Sequence, residues 1–320
     1  SGTGFAVGTT SVTCSATDAI GNIGSTSFDV IITDSTAPIV AAVSNISLEA
    51  TGAQTTVTYS TTASDLVDGA VAVTCDPVSG TGFAVGTTSV TCSATDTIGN
   101  TGSTSFNVIV NDGTPPSLST VANITTEATG AGTTVTFALP AAIDLVNGAL
   151  VASCSPASGT DFIVGTTVVN CSASDSNGNT GTSSFTVMVE DTTAPSVKAV
   201  DDITVEAIGP TTGVEYLTSA LDLVDGTMAT SCLPISGSAF DVGTTPVTCS
   251  ATDVNFNTGS TSFNVIVTDK TAPVVDEQAD ITAYADSPAG ATVEYTVGAT
   301  DLVDGAVSTS CSPASPNTFA

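Results

Sequence analysis

The sequence predicts an all-β chain made of small β-sandwich domains in tandem, and three observations predict it. First, one phrase recurs. FAVGTTSVTCSATD ends at Asp18 and again at Asp96, FIVGTTVVNCSASD ends at Asp175, and FDVGTTPVTCSATD ends at Asp253. The steps between those aspartates are 78, 79 and 78 residues, a short fixed period that marks an array of small domains rather than one large globule. Second, apolar and polar residues alternate at the same place in every copy: Phe28, Val30, Ile32; Phe106, Val108, Val110; Phe185, Val187, Val189; Phe263, Val265, Val267. A period of two is the signature of half-buried strands. Third, Thr and Val fill the segments while Gly and Asn fill the breaks, as at Gly86, Gly99 and the Asp68–Gly69 pair.

Cutting the repeats at the Thr-x-Pro phrase gives five pieces. Residues 1–35 are the second half of a domain, 36–113, 114–192 and 193–270 are complete domains, and 271–320 are the first half of another. The joints are DSTAP (Asp34–Pro38), DGTPP (Asp112–Pro116), DTTAP (Asp191–Pro195) and DKTAP (Asp269–Pro273). Proline fixes φ and removes a backbone donor, so these joints are expected to be stiff and the neighbours to touch end to end in an extended rod. Within 36–113 the breaks separate about seven short strands and leave no convincing helix, the count of an immunoglobulin-type sandwich. Val71, Val73 and Cys75 read as one face of a single strand, and Val90, Cys92 and Ala94 as one face of another.

Each domain is small and would bury only ~60–65% of its unfolded surface, so something should help to stabilise it. Cysteines are placed to do so. Cys75 and Cys92, Cys154 and Cys171, and Cys232 and Cys249 form three pairs, each 17 apart, and Cys14 and Cys311 remain in the two half-domains. Regular pairs in small β units point to disulfides and an oxidising compartment. Closing a loop of ~17 residues is worth about 3 kcal/mol in the chain-entropy picture. Zinc is disfavoured, because the chain has no histidine and no Cys-x-x-Cys. The spacing is also far too short for the usual bridge between the two sheets of such a sandwich.

Ser1 aligns with Ser79 and Ser315, so the two ends of the sequence fall in the same loop, between the two cysteines of a domain. Two expectations follow. The sequence is a window on a longer array, or the last half-domain of one chain completes the first half-domain of the next. The second is a head-to-tail contact that makes open filaments and pairs Cys14 with Cys311 between chains.

Thirty-one acidic residues stand against Lys198 and Lys270 alone, a net charge of −29. Phosphate binding needs clustered Lys and Arg, which excludes nucleic acid and disfavours anionic membranes as partners. No apolar run is long enough to insert in a membrane. Catalysis fails on inventory. Without histidine the usual triad cannot form, both lysines lie beside joints rather than in a repeated cleft, and the acids recur identically in every copy as structural residues do. Two lysines cannot supply intramolecular isopeptide bonds to every domain. Aromatic residues make up 5% and Trp is absent, a poor stock for a carbohydrate face.

The partner this charge favours is a cation. Hard cations take carboxylate and carbonyl oxygens, and calcium is expected near the joints, at Asp34, Glu49, Asp112, Glu127, Asp191, Glu206 and Asp269. For one joint the expected set is Asp112 and Glu127 with Asp96 or Asp175. The plainer reading of the same acids, and of Asp65 and Asp68, is turn formation. Asn45, Asn123 and Asn170 head Asn-x-Ser/Thr sequons. Asn45 and Asn123 occupy equivalent places, where the other copies have Asp202 and Asp280, and are the better glycosylation candidates; Asn170 falls inside a strand.

Together these phrases resemble the hyalin repeat, an extracellular immunoglobulin-like module. Its opening Asp-x-Thr-x-Pro is Asp112–Pro116, its Ile-Thr-x-Glu-Ala strand is Ile124–Ala128, and its Asp-x-x-Asp-Gly turn is Asp65–Gly69. Its closing pieces are Ala94–Asn100 and Phe106–Val108. The resemblance covers the whole chain. It departs at Asn147, where other copies have Asp, and at Tyr284, where others have Glu49, Glu127 and Glu206. Animal versions often carry extra cysteines near the opening and in the last strand. Here those places hold Val or Ala, and Asn or Thr, which is closer to prokaryotic versions. The resemblance implies adhesion or cell-surface scaffolding without catalysis. The expected function is an extracellular, non-enzymatic rod or filament; the alternatives are an adhesin stalk or binding module, and a surface-layer lattice.

Overall fold

The computed structural model describes residues 2–320, so the alignment of Ser1 lies outside the described residues. The chain divides into two compact units, Ser1–Val121 with Ala138–Ala157 and Val169–Phe185, and Ala122–Phe137 with Ser158–Val168 and Thr186–Ala320. The first contains all of repeat 36–113 and the second all of repeat 193–270, and each repeat is described by itself. Among the described residues there are strands and no α-helix, and no helix is long and apolar enough to cross a membrane.

The first unit opens with a hairpin, β1 (Gly8–Thr17) and β2 (Ile23–Ile32). Repeat 36–113 then runs β3 (Ile39–Val40), β4 (Ile46–Glu49), β5 (Thr55–Val57), β6 (Ala63–Asp65), β7 (Gly69–Val71), β8 (Val73–Asp76), β9 (Thr81–Phe83), β10 (Gly86–Thr95) and β11 (Thr101–Asn111). One layer is the sheet β4-β11-β10-β8. The other is made of β3-β6-β7 and the pair β5-β9. Nine strands replace the expected seven because the second layer is broken into very short pieces. The run read as one strand through Val71, Val73 and Cys75 is also two: it breaks at Ala72 and passes from one sheet to the other. Because the parity of side chains survives the crossing, Val71, Val73 and Cys75 all still pack on the core.

Alternation sets that core. Val90, Cys92 and Ala94 on β10 and Phe106, Val108 and Val110 on β11 face Val40, Val57, Ala63 and Phe83 of the opposite layer. The Tyr59 ring meets Phe106 edge-on, its centroid 5.1 Å away, and its phenol donates to the carbonyl of Pro77. In the second unit Tyr216 does the same with Phe263 and Pro234. In the hairpin β1–β2, Phe28 occupies the place of Phe106 but is 54% exposed, against 4% for Phe106.

Two features position the joints. β4, near the start of the repeat, pairs in parallel with β11, which leaves it, and Glu49 lies opposite Asn111. Repeat 193–270 does likewise, with Ile203–Glu206 parallel to Val265–Thr268. The joint proline carbonyl lies against a glycine near the start of the last strand: Pro38 on Gly102, Pro116 on Gly181 and Pro195 on Gly259. Beyond the joints, Val146 packs on the core cluster of repeat 36–113, and Val303 on that of repeat 193–270.

Candidate metal centre

Aspartates of three kinds lie near the start of the complete repeats, and all three kinds meet in the first two. The joint aspartates come first. Asp34 Oδ1 accepts the Thr36 N–H at 3.0 Å, Asp112 Oδ1 that of Thr114 at 3.3 Å, and Asp191 Oδ1 that of Thr193 at 3.2 Å. Each is an Asx-turn that bends the chain into the next repeat. The second kind opens the Asp-Leu-Val-Asp/Asn-Gly turn. Asp65 Oδ1 accepts from the N–H groups of Val67 and Asp68, Asp144 from Val146 and Asn147, and Asp222 from Val224 and Asp225. The third closes the repeated phrase. Asp96 accepts from the N–H groups of Ile98, Gly99 and Asn100, and from the Asn100 amide at 2.6 Å. That same amide donates to the Asp34 carbonyl at 3.3 Å, so the loop grips the joint; Asn179 and Asn257 repeat the grip on Asp112 and Asp191.

Turn formation uses only one oxygen of each joint and turn aspartate. Ligand oxygens of Asp34, Asp65 and Asp96 lie within 4.8 Å of one another, as do those of Asp112, Asp144 and Asp175, those of Asp191, Asp222 and Asp225, and those of Asp269, Asp301 and Asp304. In the first three groups the Oδ2 atoms of Asp34, Asp65, Asp112, Asp144, Asp191 and Asp222 are buried and accept no hydrogen bond. These carboxylates are at most 9% exposed. A buried acceptor without a donor is costly, and a buried charge without a partner costs more.

The electrostatics follow. Burial opposes ionisation of Asp96 and Asp175, but hydrogen bonds from the Asn100 and Asn179 side chains and nearby backbone N–H groups outweigh it and hold both below the usual carboxylate range. Asp65 is held low chiefly by the N–H groups of Asp68 and Val67. Asp112 and Asp191 are pushed up, first by burial and then by the charges of Asp144 and Asp175, and of Asp222 and Asp253.

The expected ligand set is partly regrouped. Asp34, Asp112, Asp191 and Asp269 are each in a cluster, but the glutamates are not. Glu49 accepts from the Gly113 N–H at 2.6 Å and the Thr114 hydroxyl, Glu127 from the Thr192 N–H at 2.8 Å, and Glu206 from the Lys270 N–H at 2.6 Å. The glutamate beside Asp112 is therefore Glu49 and not Glu127, because the parallel β4–β11 pairing carries it to the end of its own repeat. Asp96 groups with Asp34 rather than Asp112. The turn aspartates Asp65, Asp144 and Asp222 were missing from the sequence-derived set. Their recurrence one residue before an apolar pair was visible; their second, unused oxygen was not.

The remaining sequence candidates fall as follows. Cys75–Cys92, Cys154–Cys171 and Cys232–Cys249 are disulfide-bonded, each with Cα atoms 4.0 Å apart and each between neighbouring strands of one sheet. Cys14 and Cys311 are free within the chain. Asn45 and Asn123 are exposed, and their carbonyl oxygens accept the N–H groups of Asn107 and Thr186. Asp202 accepts that of Asn264 in the same way, which explains why the position takes either Asn or Asp.

The HYR domain family matches this chain at residues 33–110, 111–189 and 190–267. Two sea-urchin proteins named Hyalin are similar over most of it. That of Strongylocentrotus purpuratus is 33% identical over 85% of the chain and 24% of its own length, and that of Lytechinus variegatus is 33% identical over 86% and 56%. The chain thus spans less than two thirds of either relative. A protein named Serine-rich adhesin for platelets from Staphylococcus aureus is 30% identical over 34% of the chain and 9% of its own length. Among solved structures, the extracellular domain of protocadherin gamma-B4 covers 92% of the chain and 59% of its own at 14% identity, with a TM-score of 0.35.

Proposed function

The chain belongs to the HYR domain family, and on that premise we propose that it is an extracellular, non-enzymatic structural protein whose tandem repeats form a load-bearing rod or filament at the cell surface. The observation that carries this reading is the parallel pairing of the first long-range strand with the last, β4 with β11 and Ile203–Glu206 with Val265–Thr268. Tension on the two ends of a repeat pulls these strands in opposite directions along their axes. All the hydrogen bonds between them are then loaded together, in shear, instead of one after another. Calcium is the cofactor proposed for the array, held at the joint carboxylates, and Asn45 and Asn123 are its proposed glycosylation positions. The adhesin match supports a second reading, a stalk that displays a binding domain.

Pulling the chain by its ends in a single-molecule experiment tests the load-bearing reading. Each complete repeat is expected to give one abrupt rupture at high force. Gradual, strand-by-strand peeling at low force would overturn it.

Self-association is proposed as well, head to tail or within a longer array. The last segment carries an open groove of about 650 Å³ lined by Ile281, Val293, Tyr295 and Phe319 among others. The hairpin β1–β2 carries Phe28, the counterpart of the Phe106 on which Tyr59 packs, and leaves it exposed. A second copy's hairpin is the natural complement of that groove. The 320-residue chain is therefore expected to sediment as oligomers held through Cys14 and Cys311, and Phe28→Asp to return it to monomers. A wild-type chain that sediments as a monomer at all concentrations would sink this contact and leave the load-bearing reading intact.

A further inference from the structure

We propose that each complete repeat holds one hard divalent cation of the calcium class in its own aspartate cluster, so that three ions lock three joints to the repeats that follow them. The ligands are Asp34, Asp65 and Asp96 for the first, Asp112, Asp144 and Asp175 for the second, and Asp191, Asp222 and Asp225 for the third. This rests on the calcium reading given above and assigns its ligands, its number and its effect.

Acid clusters are common on protein surfaces, but here a second observation points to a ligand. Two carboxylates in each cluster are about nine-tenths or more buried, use one oxygen for the local turn, and leave the other buried without a donor. The same pair of orphaned atoms recurs in all three copies, although the surrounding residues differ. No arginine or histidine exists to answer them, and the two lysines of the chain form no ion pair there. Convergent carboxylate oxygens with a backbone turn behind each are what a hard cation takes, and water completes its shell.

The consequence is positional. In every cluster one ligand belongs to the joint and the others to loops of the repeat that follows. Binding therefore fixes the direction in which the chain enters that repeat. The fourth group, Asp269, Asp301 and Asp304, has an exposed joint aspartate and no orphaned oxygen, and is not counted as a site.

Hydrogen exchange on the intact chain, titrated with calcium chloride, tests the proposal. Saturation is expected at about 10⁻⁴–10⁻³ M, the range of extracellular calcium modules. The amides of Thr36, Thr114 and Thr193 should gain protection together. Asp144→Asn keeps an oxygen for the turn but removes one charge, so it should abolish the gain at Thr114 alone; Asp222→Asn should abolish it at Thr193 alone. Each variant carries two unaltered sites as its own folding control. Calcium-independent exchange at all three joints, or variants that respond like the wild type, would overturn the assignment. Neither result bears on the force experiment, which tests the load-bearing reading separately.

Discussion

Gly102→Ala is expected to unhinge repeat 36–113 from its joint. A Cβ on Gly102 would lie far inside van der Waals contact distance of the Pro38 carbonyl oxygen. Gly102 is not in the left-handed region, so the requirement is closeness of two backbones and not backbone conformation. Neither party can yield cheaply: Gly102 is hydrogen-bonded into β11 opposite Ala94, and Pro38 is followed at once by β3. Overpacking of this sort costs about 3 kcal/mol. Hydrogen exchange of β3 and β11 should accelerate on the order of 100-fold, with repeat 193–270 unchanged as the internal reference. Gly181→Ala and Gly259→Ala should repeat the effect at Pro116 and Pro195. Unaltered exchange in β3 would mean that the joint does not dock on the strand.

Much of this architecture was legible in the sequence because it depends on parity and period. Phe106, Val108 and Val110 alternate in the sequence and are buried in the fold with Asn107 and Ile109 turned outward. The HYR family match, the tandem organisation and the all-β class rest on the same repeated phrases. What was not legible depends on pairing at a distance. Nothing local says that β4 runs parallel to β11, and that one pairing decides which glutamate sits beside Asp112. Nor does a sequence show that the strand through Ala72 changes sheets, since its side-chain parity is the same either way. The glycine under each joint proline was hidden for a related reason. A Gly between two Thr or Ser residues reads as a turn former, and only the approach of a backbone carbonyl reveals it as a docking surface.

The aspartates show a mixture of the two cases. Each lies in a turn, as its sequence context suggests, and each does cap that turn with one oxygen. Turn formation and cation binding do not exclude one another, because a carboxylate has two oxygens. The first satisfies local backbone and fixes the side chain; in the joint and turn aspartates the second is left buried and without a donor, within reach of the third carboxylate of the cluster. Local capping is what makes the cluster rigid enough to be a site.

Removing the Cys75–Cys92 bridge by a paired Cys→Ala substitution is expected to cost repeat 36–113 about 3 kcal/mol, the value for closing a loop of this length. The bridge does not join the two layers. Cys75 and Cys92 are direct partners on β8 and β10, 17 residues apart in sequence. Between them the chain leaves the first sheet, contributes β9 to the second by pairing with β5, buries Phe83, and returns. The disulfide closes that excursion at its base. It is needed there because β8 is an edge strand that pairs with β10 through only four residues. In the bridgeless variant β8 and β9 should lose exchange protection first, and β4 and β11 should keep it longest. Under tension the effect reads out as length. The bridge shields the residues between the cysteines from force, so the rupture of repeat 36–113 should lengthen by roughly 55–60 Å once it is gone, at ~3.6 Å per residue. Cys92 is fully buried, so reductant alone should act only as fast as the repeat opens. Rupture lengths identical with and without the bridge would show that the excursion stays closed without it, and that the hydrophobic core around Phe83 is what holds the edge.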